Sequence, residues 1–429
     1  MATMLKHAPA RPAQRDGQLW LRATLALPPG LRSAARAAAV AVIAGAAFAA
    51  PAVLAAPPEP TADGGLRAAA PEQAGIDSRE LVRLSEWIRN EKLDVHSLLV
   101  VKDGKLVFER YSGGVTRDHN YELYSVTKGV TALTAGMLIG QGAASLDEPV
   151  AAVLSQWRPD LAADFADKRS VELRHVLSMS SGLHYDFKPK DDPIYYTAPD
   201  RLKLAAATQP KEAPGARFEY TDINPILASA ALSAAAGMPI ERYAAQRLFA
   251  PMGMRNAVWD RADARGLVSA GWGLRLRPVD MAKIGMLVLD GGKWQGKQLV
   301  PKTWIAQMVS PTSAPDFGYY WWVNNIVRGE PEYDTMGFKG QFIVVLPQRH
   351  TVVVMTSLMS VDGGLRDAAN VQTFRKMVND YILPALDNKR HAKPSAASRT
   401  ALRQELELAA QSRGVPGTSA DPTDTPRLP

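Results

Sequence analysis

Hydrophobic positions recur with a helical period in some parts of the chain and in short apolar runs in others. The segment 78–92 repeats its apolar residues at helical spacing, which predicts a surface helix. Directly after it, residues 96–114 contain two apolar runs separated by Lys-Asp-Gly-Lys at 102–105, a pattern typical of a β-hairpin. The fold is therefore predicted to open with a helix followed by antiparallel strands.

The same patterns divide the rest of the chain. Apolar residues return at helical spacing over 126–140, and residues 143–280 are rich in Ala and Leu in several helix-length segments. Past Gly318 the chain returns to strand-like runs, two of which are joined by a turn at 347–350. Residues 364–386 then predict a closing amphipathic helix.

Strands at both ends with helices between them predict the fold class. We expect an α/β sandwich, an antiparallel sheet flanked by helices, with an all-helical lobe at about 143–280 inserted into it. The predicted domain spans 71–386 and follows a linker at 57–70. The tail, 387–429, is predicted to be partly helical and then disordered, because its end is rich in Pro, Thr and Gly.

Residues 1–56 have the composition of a leader. Arg32 and Arg36 precede a run of small apolar residues that ends near Ala56, where a Pro-rich stretch begins. A basic flank, an apolar core and small residues before a break are typical of an export signal, so we expect a cleaved leader and a periplasmic protein. The open alternative is an uncleaved leader that anchors the protein in the inner membrane, since the run approaches the length of a membrane-spanning helix.

Charge and cysteine content exclude several function classes. The chain has 50 basic and 43 acidic residues, of which six and one lie in residues 1–56, so the remainder carries only +2. Nucleic-acid binding requires a strongly basic face and is therefore not expected. The sequence contains no cysteine, which excludes disulfides, Cys-ligated zinc and thiol catalysis.

Two catalytic patterns overlap at residues 121–142. Tyr124 and Lys128 match the Tyr-x-x-x-Lys pair of short-chain dehydrogenases, whereas Ser125 and Lys128 form the only Ser-x-x-Lys in the sequence. A dehydrogenase also needs an upstream Gly-rich turn between a strand and a helix to bind the dinucleotide, and the chain has none. We therefore favour a serine nucleophile with a lysine partner.

Ser125 falls where the helical period begins, so its hydroxyl lies near the positive end of a helix. Three-residue spacing places Lys128 on the same helical face. A lysine of ordinary pKa, about 10.4, does not accept a proton at neutral pH, so the site requires a further titratable group. Tyr220, which follows a short extended run and precedes a helix, is the candidate.

Five segments in order resemble the serine β-lactamase and penicillin-binding-protein superfamily. They are SVTK at 125–128, VELRHVLSMSSGLHYD from 171, YTD at 220–222, GWGLRLRPVDMAKIGMLVLDGG from 271 and MGFKGQFIVVLP from 336. They are most similar to the class C β-lactamase-like branch, which includes esterases, D-aminopeptidases and 6-aminohexanoate-dimer hydrolases. The resemblance implies a β-lactamase/transpeptidase-like fold. It also implies that Ser125 is acylated, that Lys128 activates it and that Tyr220 is the general base.

Two positions depart from the pattern that the resemblance implies. The family's Tyr-x-Asn is replaced by Tyr220-Thr221-Asp222, so the amide that would donate to a substrate carbonyl is a carboxylate unless Asn224 takes its place. The family's third motif aligns with Phe338-Lys339-Gly340. Strand alternation would turn Lys339 away from the site, while Gly340 and the N–H of Gln341 would fit an oxyanion-hole strand beside the N–H of Ser125.

These features predict a serine hydrolase for small esters or amides that needs no metal or cofactor. β-Lactamase activity with high turnover is not expected, because no cation occupies the first position of the third motif. Trp322 could line an acyl pocket or pack in the core. The alternatives are a D-aminopeptidase, a DD-peptidase, a weak β-lactamase, or a non-catalytic binding or sensor protein whose groove is filled by Phe338. The sequence leaves the oligomeric state open.

Overall fold

The computed structural model describes residues 65–188, 192–359, 369–388 and 395–414. All of them lie in the unit Pro57–Pro429. The predicted leader at 1–56, most of the predicted linker and the end of the tail lie outside the described residues, so the expectations for them stay predictions.

A seven-stranded sheet forms the centre of the fold. The strands are β1 (Arg67–Ala68), β2 (Val95–Lys102), β3 (Lys105–Tyr111), β4 (Tyr121–Glu122), β5 (Val258–Trp259), β6 (Leu274–Leu276), β7 (Lys293–Trp294), β8 (Lys297–Gln298), β9 (Trp322–Val323), β10 (Tyr333–Gly337), β11 (Gln341–Leu346) and β12 (Thr351–Ser357). The central order is β1-β3-β2-β12-β11-β10-β9. The two predicted hairpins, β2–β3 and β11–β12, are confirmed. Because β2 pairs with β12, strands from both ends of the chain share one sheet.

Helices cover this sheet and fill the middle of the chain. They are α1 (Ser78–Asn90), α2 (Val126–Gly140), α3 (Val150–Trp157), α4 (Leu173–Leu177), α5 (Arg201–Ala206), α6 (Ile223–Ala236), α7 (Ile240–Ala244, continuing through Ala245–Phe249), α8 (Pro278–Leu289), α9 (Lys302–Met308), α10 (Ala369–Met377, continuing through Val378–Ile382), α11 (Leu383–Asp387) and α12 (Ala396–Gln411). Among the described residues, no single helix is long and apolar enough to cross a membrane, although the bent pair α6–α7 meets the length and composition criteria.

Both faces of the central strands are buried, and neighbouring residues of β11 show how. Phe342 stacks on Phe374 of α10 with ring centres 4.2 Å apart. The next residue, Ile343, faces α8, where a Cβ on Gly285 would lie 3.0 Å from its side chain and 2.4 Å from Val352. Successive strand residues point to opposite faces, so helices pack on both sides of the sheet. The predicted sandwich architecture is confirmed.

The structure differs from the prediction at three boundaries. β1 lies inside the predicted linker and pairs with β3. The segment predicted to be all-helical also contains β5 and β6, which form a small sheet with β4. The helical part of the tail, α12, is docked on α1, because buried Glu405 forms an ion pair with Arg89 at 3.0 Å and accepts a hydrogen bond from Ser85 at 2.9 Å.

A buried pair of acids lies at the start of strand β10. Glu332, just before β10, accepts the backbone N–H of Ile326 at 2.8 Å, and Asp334 follows two residues later. Burial raises the pKa of Glu332 to about 7. Burial, and then the negative charge of Glu332, raise the pKa of Asp334 well above its usual range. Two carboxylates this close in a dry interior cannot both ionise without a cost in stability.

Asp334→Asn is expected to increase the free energy of unfolding at pH 8 and to flatten its pH dependence. A carboxyl that keeps its proton in the folded state but ionises on unfolding stabilises the fold at low pH. That stability is lost as the pH rises above the unfolded pKa, at up to about 1.4 kcal/mol per pH unit for one group. Urea unfolding between pH 5 and pH 9 measures this slope. The exposed Asp164→Asn variant is the control, and equal slopes in the two variants would contradict the expectation.

Candidate active site

Ser125 lies at the start of α2, immediately before Val126. The residue before it, Tyr124, has a φ of 48°, in the left-handed region that few residues other than glycine adopt. Strained backbone of this kind is retained where the surrounding structure enforces it, often at functional sites. The turn presents Ser125 beside the free N–H groups of the α2 N-terminus, where a developing negative charge is stabilised.

Lys128 lies one turn further along α2 and is almost completely buried. Its Nζ is 3.0 Å from Ser125 Oγ and 3.2 Å from the carbonyl oxygen of Gly271. The ring of Tyr124 instead meets Phe338 edge-on, with ring centres 5.6 Å apart. The Ser-x-x-Lys pair is therefore the one that the structure brings together.

Tyr220 joins this pair from 95 residues further along the chain. Its ring stacks on Trp322, with centres 5.9 Å apart and planes inclined by 18°. The Lys128 ammonium lies 4.9 Å from the centre of the Tyr220 ring. Ser125, Lys128 and Tyr220 thus converge, as the sequence predicted, and Trp322 lies against them.

Asp222 binds the lysine. Its Oδ1 lies 2.7 Å from Lys128 Nζ, and its other carboxylate oxygen accepts a hydrogen bond from the hydroxyl of Tyr195. Asn224, the amide that the sequence offered as a substitute, is buried in the first turn of α6. Sequence reasoning missed Tyr195, because it lies in a loop without a recognisable motif and only the folded chain places it beside Asp222.

These contacts set the charge state of the site. Burial lowers the pKa of Lys128, but the Asp222 carboxylate and the Tyr220 phenol together outweigh it, so the pKa of Lys128 lies above its ordinary value. Lys128 is therefore a cation at neutral pH and has no free electron pair to accept a proton from Ser125. Burial, and then the Asp222 carboxylate, raise the pKa of Tyr195 well above its ordinary range, so Tyr195 stays neutral. Tyr220 is the remaining base candidate that contacts Lys128.

The predicted strand geometry of Phe338-Lys339-Gly340 is wrong. These residues form the turn between β10 and β11, closed by a hydrogen bond of 3.1 Å from Gly340 N to Gly337 O. Lys339 and Gly340 have φ values of 62° and 93°. Because strand alternation does not apply inside a turn, the argument that Lys339 points to the opposite sheet face fails.

The end of β10 approaches the Ser125 turn at Gly337. A Cβ on Gly337 would lie 2.3 Å from the carbonyl oxygen of Leu123 and 3.3 Å from Tyr124 Cβ. Gln341 lies opposite Gly337 in the pairing and donates its side-chain amide to the Ser357 carbonyl at 2.7 Å. The role of its backbone N–H stays a prediction.

Two histidines, His175 and His184, have clear partners in the structure. His175 Nδ1 accepts the Glu172 backbone N–H at 3.1 Å and so caps α4. His184 lies 2.8 Å from Glu219 and 2.9 Å from Asp186. Within the described residues, no group of three or more His, Cys, Asp or Glu side chains is arranged to hold a metal ion.

Residues 90–375, which include the whole site, match the family model for beta-lactamases. The chain belongs to the beta-lactamase family. This assignment confirms the predicted relationship to the serine β-lactamase and penicillin-binding-protein superfamily and its fold. Hydrolysis is the common activity of this family and of the neighbouring proteins.

Individual relatives in the family are distant. A Salmonella typhi protein with the provisional name D-alanyl-D-alanine carboxypeptidase is 23% identical over 370 residues, covering 68% of this chain and 85% of that protein. EstCE1, described as a hydrolase with promiscuous acyltransferase activity, has a TM-score of 0.58 and 19% identity, over 72% of this chain and 99% of its own. A penicillin-binding protein from Bacillus halodurans has a TM-score of 0.53 and 19% identity, over 69% and 98%. These two structures show a shared fold.

Proposed function

We propose that this chain hydrolyses small esters, and secondarily small amides, through an acyl-enzyme on Ser125. One observation carries the proposal: Lys128 Nζ lies 3.0 Å from Ser125 Oγ while it also contacts Tyr220 and Asp222. A serine hydroxyl needs a positioned base and a nearby cation to become a nucleophile at neutral pH. The site supplies both in a buried setting.

In the proposed acylation step, Tyr220 begins as the phenolate beside the Lys128 ammonium. Ser125 Oγ attacks the substrate carbonyl carbon, and its proton passes to the phenolate oxygen. The resulting oxyanion binds the Ser125 N–H at the start of α2 and a second N–H from the β10–β11 segment, for which Gln341 is the predicted donor. Lys128 remains a cation and stabilises the negative charge on the phenol and the oxyanion. Tyr220 then protonates the leaving alcohol or amine as its bond to the carbonyl carbon breaks.

In the proposed deacylation step, water takes the position of the leaving group. Tyr220 accepts a proton from the water as its oxygen attacks the acyl carbon, and it returns a proton to Ser125 Oγ when the acid product departs. The charge of the site is the same before and after the cycle. No step needs a metal or a redox partner.

Asp222 favours esters over amides in this proposal. An asparagine at this position would present an N–H donor to a substrate amide carbonyl, whereas a carboxylate can only accept. Both Asp222 oxygens are already occupied, by Lys128 and by Tyr195. Ester hydrolysis depends less on a hydrogen bond from this position to the substrate, because an alcohol leaves more readily than an amine.

A D-alanyl peptide is the second candidate substrate, supported by the name of the Salmonella typhi relative. A panel of p-nitrophenyl esters, D-alanyl-D-alanine peptides, linear amide oligomers and a chromogenic β-lactam separates the possibilities. We expect kcat/KM to be highest for the esters. Turnover of the peptides alone would replace the ester assignment, and no turnover of any member by folded protein would favour a non-catalytic sensor.

Tyr220→Phe is expected to reduce kcat for p-nitrophenyl acetate by about a hundredfold and to leave KM unchanged. The substitution keeps the ring stacked on Trp322 and removes only the group that moves protons in both steps. Steady-state and burst kinetics measure the two steps separately. Tyr319→Phe, which removes the hydroxyl of a buried tyrosine stacked on Trp304, is the matched control. An unchanged kcat in Tyr220→Phe would refute the general-base role.

We also propose that the protein is exported, on the basis of the basic flank and apolar run in residues 1–56. If the leader is cleaved on export, the mature chain begins near residue 56 and is found in the periplasmic fraction. N-terminal sequencing of the protein from fractionated cells tests this, since an intact leader in the membrane fraction would support the anchored form instead.

A further inference from the structure

An aromatic cluster lies on the surface beside the catalytic residues. Phe187 and Tyr196 are 58% and 50% exposed and are among the few large hydrophobic side chains that the described surface leaves this open. Both rings pack on half-buried Tyr195, with centres 6.1 and 6.2 Å from it. We refer to these three residues, Phe187, Tyr195 and Tyr196, as the aromatic ledge.

The aromatic ledge is connected to the reacting groups through Tyr195. The Tyr195 hydroxyl donates to Asp222, which lies 2.7 Å from Lys128, and Lys128 lies 3.0 Å from Ser125 Oγ. On its other side, the Tyr195 ring packs against buried Trp272 at 4.8 Å. Three successive polar contacts thus join Ser125 to Tyr195, and the two outer rings of the aromatic ledge are exposed.

A buried carboxylate binds described residues near the three rings of the aromatic ledge. Asp192 is fully buried and accepts hydrogen bonds from the Tyr185 hydroxyl at 2.6 Å, the Lys188 backbone N–H at 2.8 Å and the Ile194 backbone N–H at 2.9 Å. These donors come from both sides of Asp192 along the chain. Exposed rings on a pre-organised support lose little conformational entropy when they bind a ligand.

We propose that the aromatic ledge binds the apolar acyl chain of an ester substrate. This inference rests on the proposed function and names the substrate class within it. Tyr220, which is proposed to protonate the leaving group, stacks on Trp322, and the proposal places the leaving group on that side and the acyl chain on the side of Tyr195. The plane of the Tyr195 ring is inclined by 82° to the Phe187 ring and by 63° to the Tyr196 ring. The three rings therefore form a ridged apolar surface suited to an alkyl chain. A sugar ring would need a flat aromatic face.

The experiment compares p-nitrophenyl acetate with p-nitrophenyl octanoate, which share a leaving group. For Phe187→Ala/Tyr196→Ala, we expect kcat/KM for the octanoate to fall roughly tenfold through KM, with the acetate unchanged. Trp157→Ala removes another exposed aromatic, 41% exposed, and is the control that should change neither ester. An equal loss on both esters, a loss confined to kcat, or no loss would overturn the proposal.

A binding measurement separates this proposal from the proposed function. Ser125→Ala should bind p-nitrophenyl octanoate more tightly than the acetate, and removal of Phe187 and Tyr196 in that background should abolish the difference. This outcome would support the aromatic ledge even if the wild-type protein hydrolysed no ester. An N-acetylglucosamine oligomer is added as a competitor. If it binds in a ledge-dependent way and the octanoate does not, the acyl-chain assignment is wrong.

Discussion

Ser125→Ala is expected to lose all covalent labelling by a fluorophosphonate probe and to reduce kcat/KM for p-nitrophenyl esters by about four orders of magnitude or more. The hydroxyl oxygen is the atom that would form the acyl bond, and Lys128 Nζ lies 3.0 Å from it. Peptide mass mapping of the labelled wild-type protein should place the adduct on the peptide that contains Ser125. The loss should occur without a change in the thermal unfolding midpoint, since one hydroxyl is removed.

Ser145→Ala is the matched control for this experiment. Ser145 is an exposed serine on the segment after α2, and its replacement should keep both labelling and activity within twofold of wild type. An adduct that maps to another serine, or ester turnover that survives in Ser125→Ala, would remove Ser125 from the mechanism. A folded wild-type protein that is not labelled at all would favour the binding or sensor alternative.

Lys128→Met is expected to reduce kcat by on the order of a thousandfold and to destabilise the fold by about 3 kcal/mol. Methionine fills most of the space of the lysine side chain but carries no charge. The activity falls because the phenol of Tyr220 and the oxyanion lose their cation. The stability falls because the Asp222 carboxylate, paired with Lys128 at 2.7 Å, is left largely buried without its counter-ion.

The double variant Lys128→Met/Asp222→Asn separates these two effects. Neutralising Asp222 removes the unpaired charge, so most of the lost stability should return, whereas activity should stay low because the cation is still missing. Urea unfolding and ester kinetics on the three proteins make the comparison. If the double variant regained activity together with stability, Lys128 would have only a structural role.

The ion pair between Lys128 and Asp222 distinguishes this site from the pattern that its family resemblance implies. With an asparagine in place of Asp222, the lysine would face no formal negative charge from that position. Here the carboxylate raises the pKa of Lys128, and Tyr195 donates to the same carboxylate. Lysine is therefore the cation of the proposed mechanism and not its base.

Local patterns in the sequence were sufficient to predict much of the architecture. The apolar runs of β2, β11 and β12 predicted their strands, since central strands with both faces buried are almost continuously apolar. The start of α2 at Ser125 also followed from local periodicity. The short strands β5 and β6 were not predicted, because two or three residues carry no detectable period and form only where β4 is available to pair with them.

The candidate site shows where such patterns stop being informative. Three-residue spacing on one helix indicated that Ser125 and Lys128 meet, because helical geometry alone places them on one face. The position of Tyr220, the ion pair of Asp222 and the hydroxyl of Tyr195 depend on segments brought together by the packing of the whole chain. The turn at Phe338-Lys339-Gly340 was misread as a strand because apolar alternation cannot show where a hairpin reverses.

Local order along the chain therefore determined the longer helices and strands and the proximity of Ser125 and Lys128. Periodicity and helix-terminus chemistry act over a few residues, and those features depend on nothing more distant. Tertiary structure alone decided the charge state of Lys128, the contact between Tyr195 and Asp222, and the aromatic ledge. Each of these depends on distances and burial between residues far apart in sequence, and Coulomb energies in a dry interior change steeply with both.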